Sequence, residues 1–367
     1  MKIGILTFHN AINYGAVIQC YALKEFLVQR GHDVQVIDYR NPYVEDYAKL
    51  IPLSVISAKK SLVSKLKSIV ISLIVYKGKQ KISKIFKTFV ESRLNTSPRC
   101  HSAAEIPSDY DCIVFGSDQI WNPNLCGGFD PAFYGQFPKG RTKFVSYAAS
   151  MGNVSLFSDK DWQDIYSRLT AFDHISVREL SLRQVLEQRF HFLVSNCVDP
   201  TFLVDSKILL SLAKDPGIRD YIFVYNVMND DNSEDFADRM AMKNGLKVVI
   251  GQAKPRVRRL NKNISHILVD SLSPEEFLGY IKYANIVIGN SFHSIALSIV
   301  FRKDFYSLAS NKSERIVDLL SHIGLSDRHV RSIEKHIEVE SINYQEPAKK
   351  LSVLREISVQ YMSDCGL

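Results

Sequence analysis

Apolar residues follow two alternating rhythms along most of the chain. Short unbroken apolar runs alternate with longer stretches in which apolar positions recur every three or four residues. That is the pattern of buried parallel strands joined by amphipathic helices. Residues 2–8, 34–39, 110–115, 143–149 and 174–177 read as strands. Residues 17–30 read as a helix with Leu23, Phe26 and Leu27 on one face and Gly31 as its stop, and 159–172 and 179–188 as further helices. A second series has strands at 221–227, 247–250, 266–269, 286–288 and 305–308. Its helices fall at 232–244, 274–283, 294–301 and 314–322, with Pro274 in a first turn. The pattern predicts an α/β chain of two doubly wound Rossmann-like domains facing a cleft. The first spans 1–193 and carries a helical insertion at 45–97; the second spans 194–339; a tail at 340–367 folds back on the first. Residues 194–204 lack a regular period and hold an Asp-Pro turn signal, so they read as the interdomain connection.

The chain has 367 residues, 46% of them hydrophobic, enough for two cores of ordinary size. Its six cysteines form no CxxC pair, which points to reduced thiols in a cytoplasmic protein without a zinc or disulfide framework. No metal or cofactor is expected. The strand-like start leaves no room for a signal peptide, and no apolar run approaches the ~20 residues of a membrane-spanning helix.

The net charge of +7 is local. Residues 59–90 carry nine lysines (Lys59, Lys60, Lys65, Lys67, Lys77, Lys79, Lys81, Lys84, Lys87) and no acid, and without them the charge would be −2. Two readings follow for this stretch: a solvated helical insertion whose apolar face packs on its own domain, or a peripheral contact with an anionic membrane at its inner face. Nucleic acid is disfavoured, because the stretch has no arginine and few aromatic residues.

Candidate chemistry gathers where strands end. Residues 285–303 run strand, turn, helix, with Ser291 or Ser294 as N-cap and His293 in the first turn. A helix start attracts anions, and an imidazole there can also exchange a proton near neutral pH; the plainer reading is that His293 only caps the turn. Arg178 sits where a strand turns into a helix, suited to a bidentate phosphate or carboxylate contact, or to an ion pair with Glu179. After the strand at 110–115 come Gly116, Ser117, Asp118 and Gln119, then Trp121. Asp118 is a candidate base or hydroxyl-binding group. Trp121 is a candidate sugar-stacking face, or else a core residue. The loop after the first strand lacks GxGxxG, so a nicotinamide site is unsupported. Asn13 and Gly15 in that loop either let a ligand approach the first helix or serve turn chemistry.

These motifs together resemble the polysaccharide pyruvyl transferase family, from Met1 to about Arg328. The resemblance rests on Asn13-Tyr14-Gly15-Ala16, Phe115-Gly116-Ser117-Asp118-Gln119-Ile120-Trp121, Ile175-Ser176-Val177-Arg178-Glu179, Val198-Asp199-Pro200-Thr201 and Ser291-Phe292-His293. It implies a glycosyltransferase B-like architecture and transfer of a pyruvyl group from phosphoenolpyruvate to a sugar acceptor, lipid-linked or polymeric, with phosphate released. By the same resemblance His293 is the candidate acid/base or phosphate contact, and Arg178 the donor-anion clamp. Ser117, Asp118 and Asn13 fall on the acceptor side. Many members have Arg where this chain has Ser291, which removes a cation; Arg302, Lys303 or Arg315 could restore it. Two alternatives stand beside this reading: a nucleotide-sugar glycosyltransferase of the same architecture, and a non-catalytic glycan- or membrane-associated protein.

Overall fold

The computed structural model describes residues 1–48, 61, 70, 76–227, 232–251, 264–308, 314–330 and 340–367. The chain divides into two compact units, Met1–Val204 with Leu354–Leu367, and Asp205–Val353.

In the first unit β1 (Lys2–Leu6), α1 (Tyr14–Gln29) and β2 (Asp33–Val36) form the opening βαβ turn. The short helix α2 (Pro42–Ala48) and the long helix α3 (Tyr76–Arg93) precede β3 (Cys112–Phe115), α4 (Pro123–Cys126) and β4 (Lys143–Ser146). Then come α5 (Asp159–Leu169), β5 (Ile175–Val177), α6 (Leu180–Phe190), β6 (Val194–Asn196) and α7 (Pro200–Leu203). The strands pair in parallel in the order β2-β1-β3-β4, with β5 and β6 as a further parallel pair. Single bridges from Val145 to His174 and from Ala149 to Val177 carry the pairing from the β4 region to β5. This is a doubly wound order whose succession reverses between β1 and β3, and it places every carboxyl end on the same edge. Both faces of β3 are buried, which its unbroken Cys-Ile-Val-Phe sequence requires.

The basic insertion is helical in its described second part. Helix α3 buries Phe86, Phe89 and Val90, with Phe86 against Tyr14 and Phe89 against Tyr21 of α1. Over these residues the apolar face packs on its own unit. Lys59, Lys60, Lys65, Lys67 and most of the apolar run at 69–76 lie outside the described residues.

The second unit contains α8 (Ser206–Leu212), β7 (Tyr221–Tyr225), α9 (Asn232–Asn244), β8 (Lys247–Gly251) and β9 (His266–Val269). It continues with α10 (Pro274–Tyr283), β10 (Ile286–Gly289), α11 (Phe292–Val300), β11 (Asp304–Ser307) and α12 (Glu314–Ile323). Its five parallel strands lie in the order β11-β10-β7-β8-β9, which reverses between β7 and β10. Helix α10 starts on a reciprocal cap, Ser273 with Glu276, and Pro274 stands in its first turn.

The boundary between units differs from the sequence-based expectation. Residues 194–204 belong to the first unit rather than to a connection, because β6 pairs with β5 and α7 packs on α1. The last helix, α13 (Gln345–Asp364), belongs to the first unit only from Leu354 onward, not from 340. There Arg355 donates to the Leu203 carbonyl at 2.9 Å, Ser358 accepts from Val198 N at 2.9 Å, and Tyr361 donates to the Ser146 carbonyl at 2.7 Å. Each bond satisfies a backbone group of a buried residue of the first unit. Among the described residues no helix is long and apolar enough to cross a membrane.

Candidate active site

In the second unit the strand order reverses between β7 and β10, the position where open α/β sheets leave a crevice. The residues just beyond those two ends are Asn226 and Asn290, both buried. The Asn290 amide donates to Asn226 Oδ1 at 2.7 Å, and its Oδ1 accepts from Val227 N at 2.8 Å. One side chain thus ties the two strand ends together. Gly289 is needed immediately before it, since a Cβ there would stand 2.6 Å from Ser294 Oγ. The sheet and the first turn of α11 touch at that point.

Ser291 is the N-cap residue of α11, although its side chain makes no capping bond. Ser294 is no cap; its hydroxyl turns back to donate to the Ser291 carbonyl at 2.8 Å and is fully buried. His293 lies in the first turn, 5% exposed, with its ring edge-on to Phe292 at 5.2 Å. The guanidinium of Arg315, on α12, stands over the Phe292 ring at 5.9 Å. An arginine and an imidazole thus each pack against the Phe292 ring in the first turn of α11. Arg302 does not share it. It follows the opposite end of α11, exposed and left-handed at φ 52°, about 13 Å along the helix from its start. Lys303 lies at that same far end, half-buried, and burial lowers its pKa. Of the three cations that could replace the one missing at Ser291, Arg315 has the position.

In the first unit three strand ends deliver charge to one point. Arg178, after β5, is 8% exposed. Its Nη1 donates to Asp199 at 2.9 Å and its Nε to the neighbouring Glu179 at 3.2 Å, and Nη2 stands 3.7 Å from Asp118. Asp199 follows β6 and caps α7 through Thr201 N at 3.1 Å; Asp118 follows β3 in left-handed backbone at φ 67°. Burial alone would lower the arginine pKa, but the three carboxylates outweigh it and hold the guanidinium charged. Among the described residues, one guanidinium stands against three carboxylates. Arg178 is thus an internal counter-ion and not the open clamp for a donor anion that its motif suggested.

Four other candidates of the same unit serve packing or turns. Trp121 is no sugar-stacking face: it is fully buried, lies parallel to Tyr134 at 5.8 Å and donates from Nε1 to the Phe133 carbonyl at 2.9 Å. Ser117 is fully buried, and its hydroxyl donates to the Ala148 carbonyl at 2.8 Å while its own carbonyl accepts from Thr7 at 2.9 Å. It fastens the ends of β1 and β3 and the segment after β4 rather than facing a ligand. Asn13 caps α1, accepting from Gly15 N at 3.0 Å and Ala16 N at 3.4 Å, and Gly15 is buried in that first turn. The turn-chemistry reading holds for both.

Sequence reasoning gave Asn226 and Asn290 no site role, and took Asp199 as a turn signal and as part of a family motif without a role of its own. The available signal was position: each is the first or second polar residue after a strand, on the edge where the units gather their polar groups.

The sequence profile of the polysaccharide pyruvyl transferase family matches residues 13–312, a span that holds every motif above. The chain belongs to the polysaccharide pyruvyl transferase family. No curated protein sequence matches it significantly. Among solved structures it resembles UGT89C1 of Arabidopsis thaliana, at 13% identity over 99% of this chain and 98% of that one, with a TM-score of 0.49. It also resembles S. aureus MnaA solved with UDP, at 14% identity over 97% and 90% of the two chains, with a TM-score of 0.48. A UDP-GlcNAc 2-epimerase from Methanocaldococcus jannaschii follows, at 12% identity over 97% and 93%, with a TM-score of 0.45. No inference about chemistry follows from likeness at that level. The family membership makes the chain a transferase, and the motifs around Asp118, Arg178, Asp199 and His293 fall at the two strand-end clusters.

Proposed function

We propose that the chain transfers a pyruvyl unit from phosphoenolpyruvate to two hydroxyls of one sugar in a surface polysaccharide or its lipid-linked precursor. The observation that carries this reading is the start of α11, where Phe292 and His293 lie inside the family's matched span and the Arg315 guanidinium stands over the Phe292 ring. A small donor with a phosphate and a carboxylate needs cations and amide donors, and a helix start flanked by an arginine provides both.

The chemistry assigns work to each cluster. C3 of the enol takes a proton, so that C2 becomes electrophilic. The first sugar hydroxyl adds to C2, the C–O bond to phosphate breaks, and the second hydroxyl closes the ketal. Of the two hydroxyl protons, one balances C3 and the other leaves with phosphate. His293 is the group suited to deliver the proton or steady the phosphate, a role typically worth about 10²- to 10⁴-fold in rate. Asp118 is the candidate base toward a hydroxyl, with Arg178 as its counter-charge. The lysines of α3 are a candidate contact with an anionic membrane surface for a lipid-linked acceptor.

The test is phosphoenolpyruvate-dependent phosphate release over a panel of acceptor glycans, with the native protein and His293→Asn. Release that needs both substrates and falls about 10²-fold or more in the variant is expected. Release of nucleotide diphosphate from a nucleotide sugar, with none from phosphoenolpyruvate, would replace this reading by glycosyl transfer.

A further inference from the structure

Apart from the two clusters above, the first unit builds a third polar assembly at the carboxyl ends of β1 and β2. Thr7, His9, Asn10, Arg40 and Glu45 line a cavity of about 20 Å³, with the Phe133 ring on one side. By that measure there is room for one hydroxyl or water-sized group. The assembly is stiff. His9 is 1% exposed, with Nε2 2.8 Å from Asp38 and Nδ1 3.3 Å from the Thr7 carbonyl. Arg40 holds the same carboxylate from two sides, through Nε and, at 2.9 Å, through Nη2. Asp38 is pulled well below the usual carboxylate range; burial works against this, but the bonds from His9 and Arg40 prevail.

The chemistry of the lining selects its ligand. Arg40 brings donors only, and Glu45 brings acceptors only. The Glu45 carboxylate is 3.8 Å from Arg40 Nη1 and 3.9 Å from His101 Nδ1, beyond hydrogen-bond reach of both. An anion entering here meets Asp38 and Glu45; a cation meets Arg40, with Arg99 3.9 Å from Asp38 behind it. A neutral group that donates and accepts at once fits both signs, and a hydroxyl does so. We propose that this cavity is a hydroxyl-binding subsite for the acceptor sugar: a ring hydroxyl donates to Glu45 and accepts from Arg40 or Asn10. The inference rests on the sugar-acceptor reading, and it places recognition on residues outside the family motifs.

Saturation-transfer NMR with methyl glycosides of glucose, galactose, mannose and N-acetylglucosamine tests it without requiring turnover. The native full chain is compared with Glu45→Ala, Glu45→Gln and Asn10→Ala, and inorganic phosphate serves as the anionic arm. At least one glycoside should bind the native chain and bind Glu45→Ala and Asn10→Ala about tenfold more weakly, the size of one or two lost hydrogen bonds, with Glu45→Gln between. In turnover the acceptor KM should rise by a similar factor while the KM for phosphoenolpyruvate stays within about twofold. Melting temperatures unchanged by Glu45→Ala would show that the loss is local. Equal glycoside binding by the native chain and the variants overturns the subsite, as does binding of no glycoside, or displacement of a bound glycoside by inorganic phosphate. A chain that binds glycosides through Glu45 yet releases no phosphate from phosphoenolpyruvate would keep the subsite and remove the pyruvyl reaction instead.

Discussion

Replacing Arg178 by Met tests the acidic cluster directly. The guanidinium faces Asp199 at 2.9 Å, Glu179 at 3.2 Å and Asp118 at 3.7 Å. With an effective dielectric constant of ~20, these contacts correspond to about 6, 5 and 4 kcal/mol of attraction before the cost of taking the ions out of water. Most of that gross gain is offset by desolvation, so the useful figure is the cost of leaving buried partners uncompensated, about 3–5 kcal/mol. For a unit of this size the loss corresponds to a fall of roughly 6–20 °C in melting temperature. The sign of the pH effect is distinctive. Without the guanidinium three carboxyls are crowded together, and the folded variant takes up a proton that the unfolded chain releases. More protons on the folded state mean that stability falls as pH rises. Each such proton changes stability by about 1.4 kcal/mol per pH unit, so the deficit should grow by roughly 2–3 kcal/mol between about pH 5.5 and 7.5. Thermal melts of the native chain, Arg178→Met and Arg178→Lys across that window provide the measurement, with Arg178→Lys losing less because it keeps the charge. A methionine variant that melts within about 2 °C of the native chain at pH 7.5, or one whose deficit is the same at both ends, refutes the counter-ion account.

Three shorter predictions accompany it. All six cysteines are buried and unpaired with one another, and burial pushes the Cys112 and Cys197 thiols up to about 12 and Cys365 up to about 11. The native chain should therefore resist iodoacetamide near pH 8 while the denatured chain takes six equivalents; rapid native labelling would contradict this burial. Trp121→Ala should cost about 3–5 kcal/mol of stability without a selective change in acceptor KM, since the ring touches only core; a selective KM rise would restore the stacking role. Gly289→Ala should lower turnover more than stability, because its methyl drives into Ser294 at the first turn of α11; unchanged kinetics would show that this turn is not needed for the chemistry.

The sequence carried the elements well and their neighbours poorly, for a physical reason. Strand β10 and helix α11 are legible because an apolar run, a Gly-Asn-Ser break and helical spacing follow one another within sixteen residues. What makes Arg178 an internal counter-ion is invisible locally. Asp118 and Asp199 reach it from 60 and 21 residues away, brought together only because β3, β5 and β6 end on one edge of parallel pairings. His9 and Asp38 meet across 29 residues for the same reason, after β1 and β2. Trp121 shows the other failing. A tryptophan beside a polar tetrad reads equally as a platform or as core, and the choice was made by Phe133 and Tyr134, which close over it from a later loop. Period and turn chemistry are properties of a short window; charge pairing and burial are properties of the sheet order.

The sheet order also bears on which unit handles which substrate. Among the described residues, the charge of Arg178 is already met by Asp118, Glu179 and Asp199, which disfavours a donor carrying phosphate and carboxylate there. In the proposed reaction such a donor would gain at the start of α11, where the Arg315 guanidinium stands over the Phe292 ring and His293 lies edge-on to it. A sugar hydroxyl has the opposite need: an acceptor for its proton and no strong field of either sign. The first unit offers Asp118 for the former, and around His9 and Glu45 a lining in which donors and acceptors balance. Under the proposed reaction, charge alone would place the anionic donor at the second unit and the neutral acceptor at the first. A single reversal would undo that assignment: phosphoenolpyruvate affinity that falls with Glu45→Ala and is indifferent to Arg315→Ala.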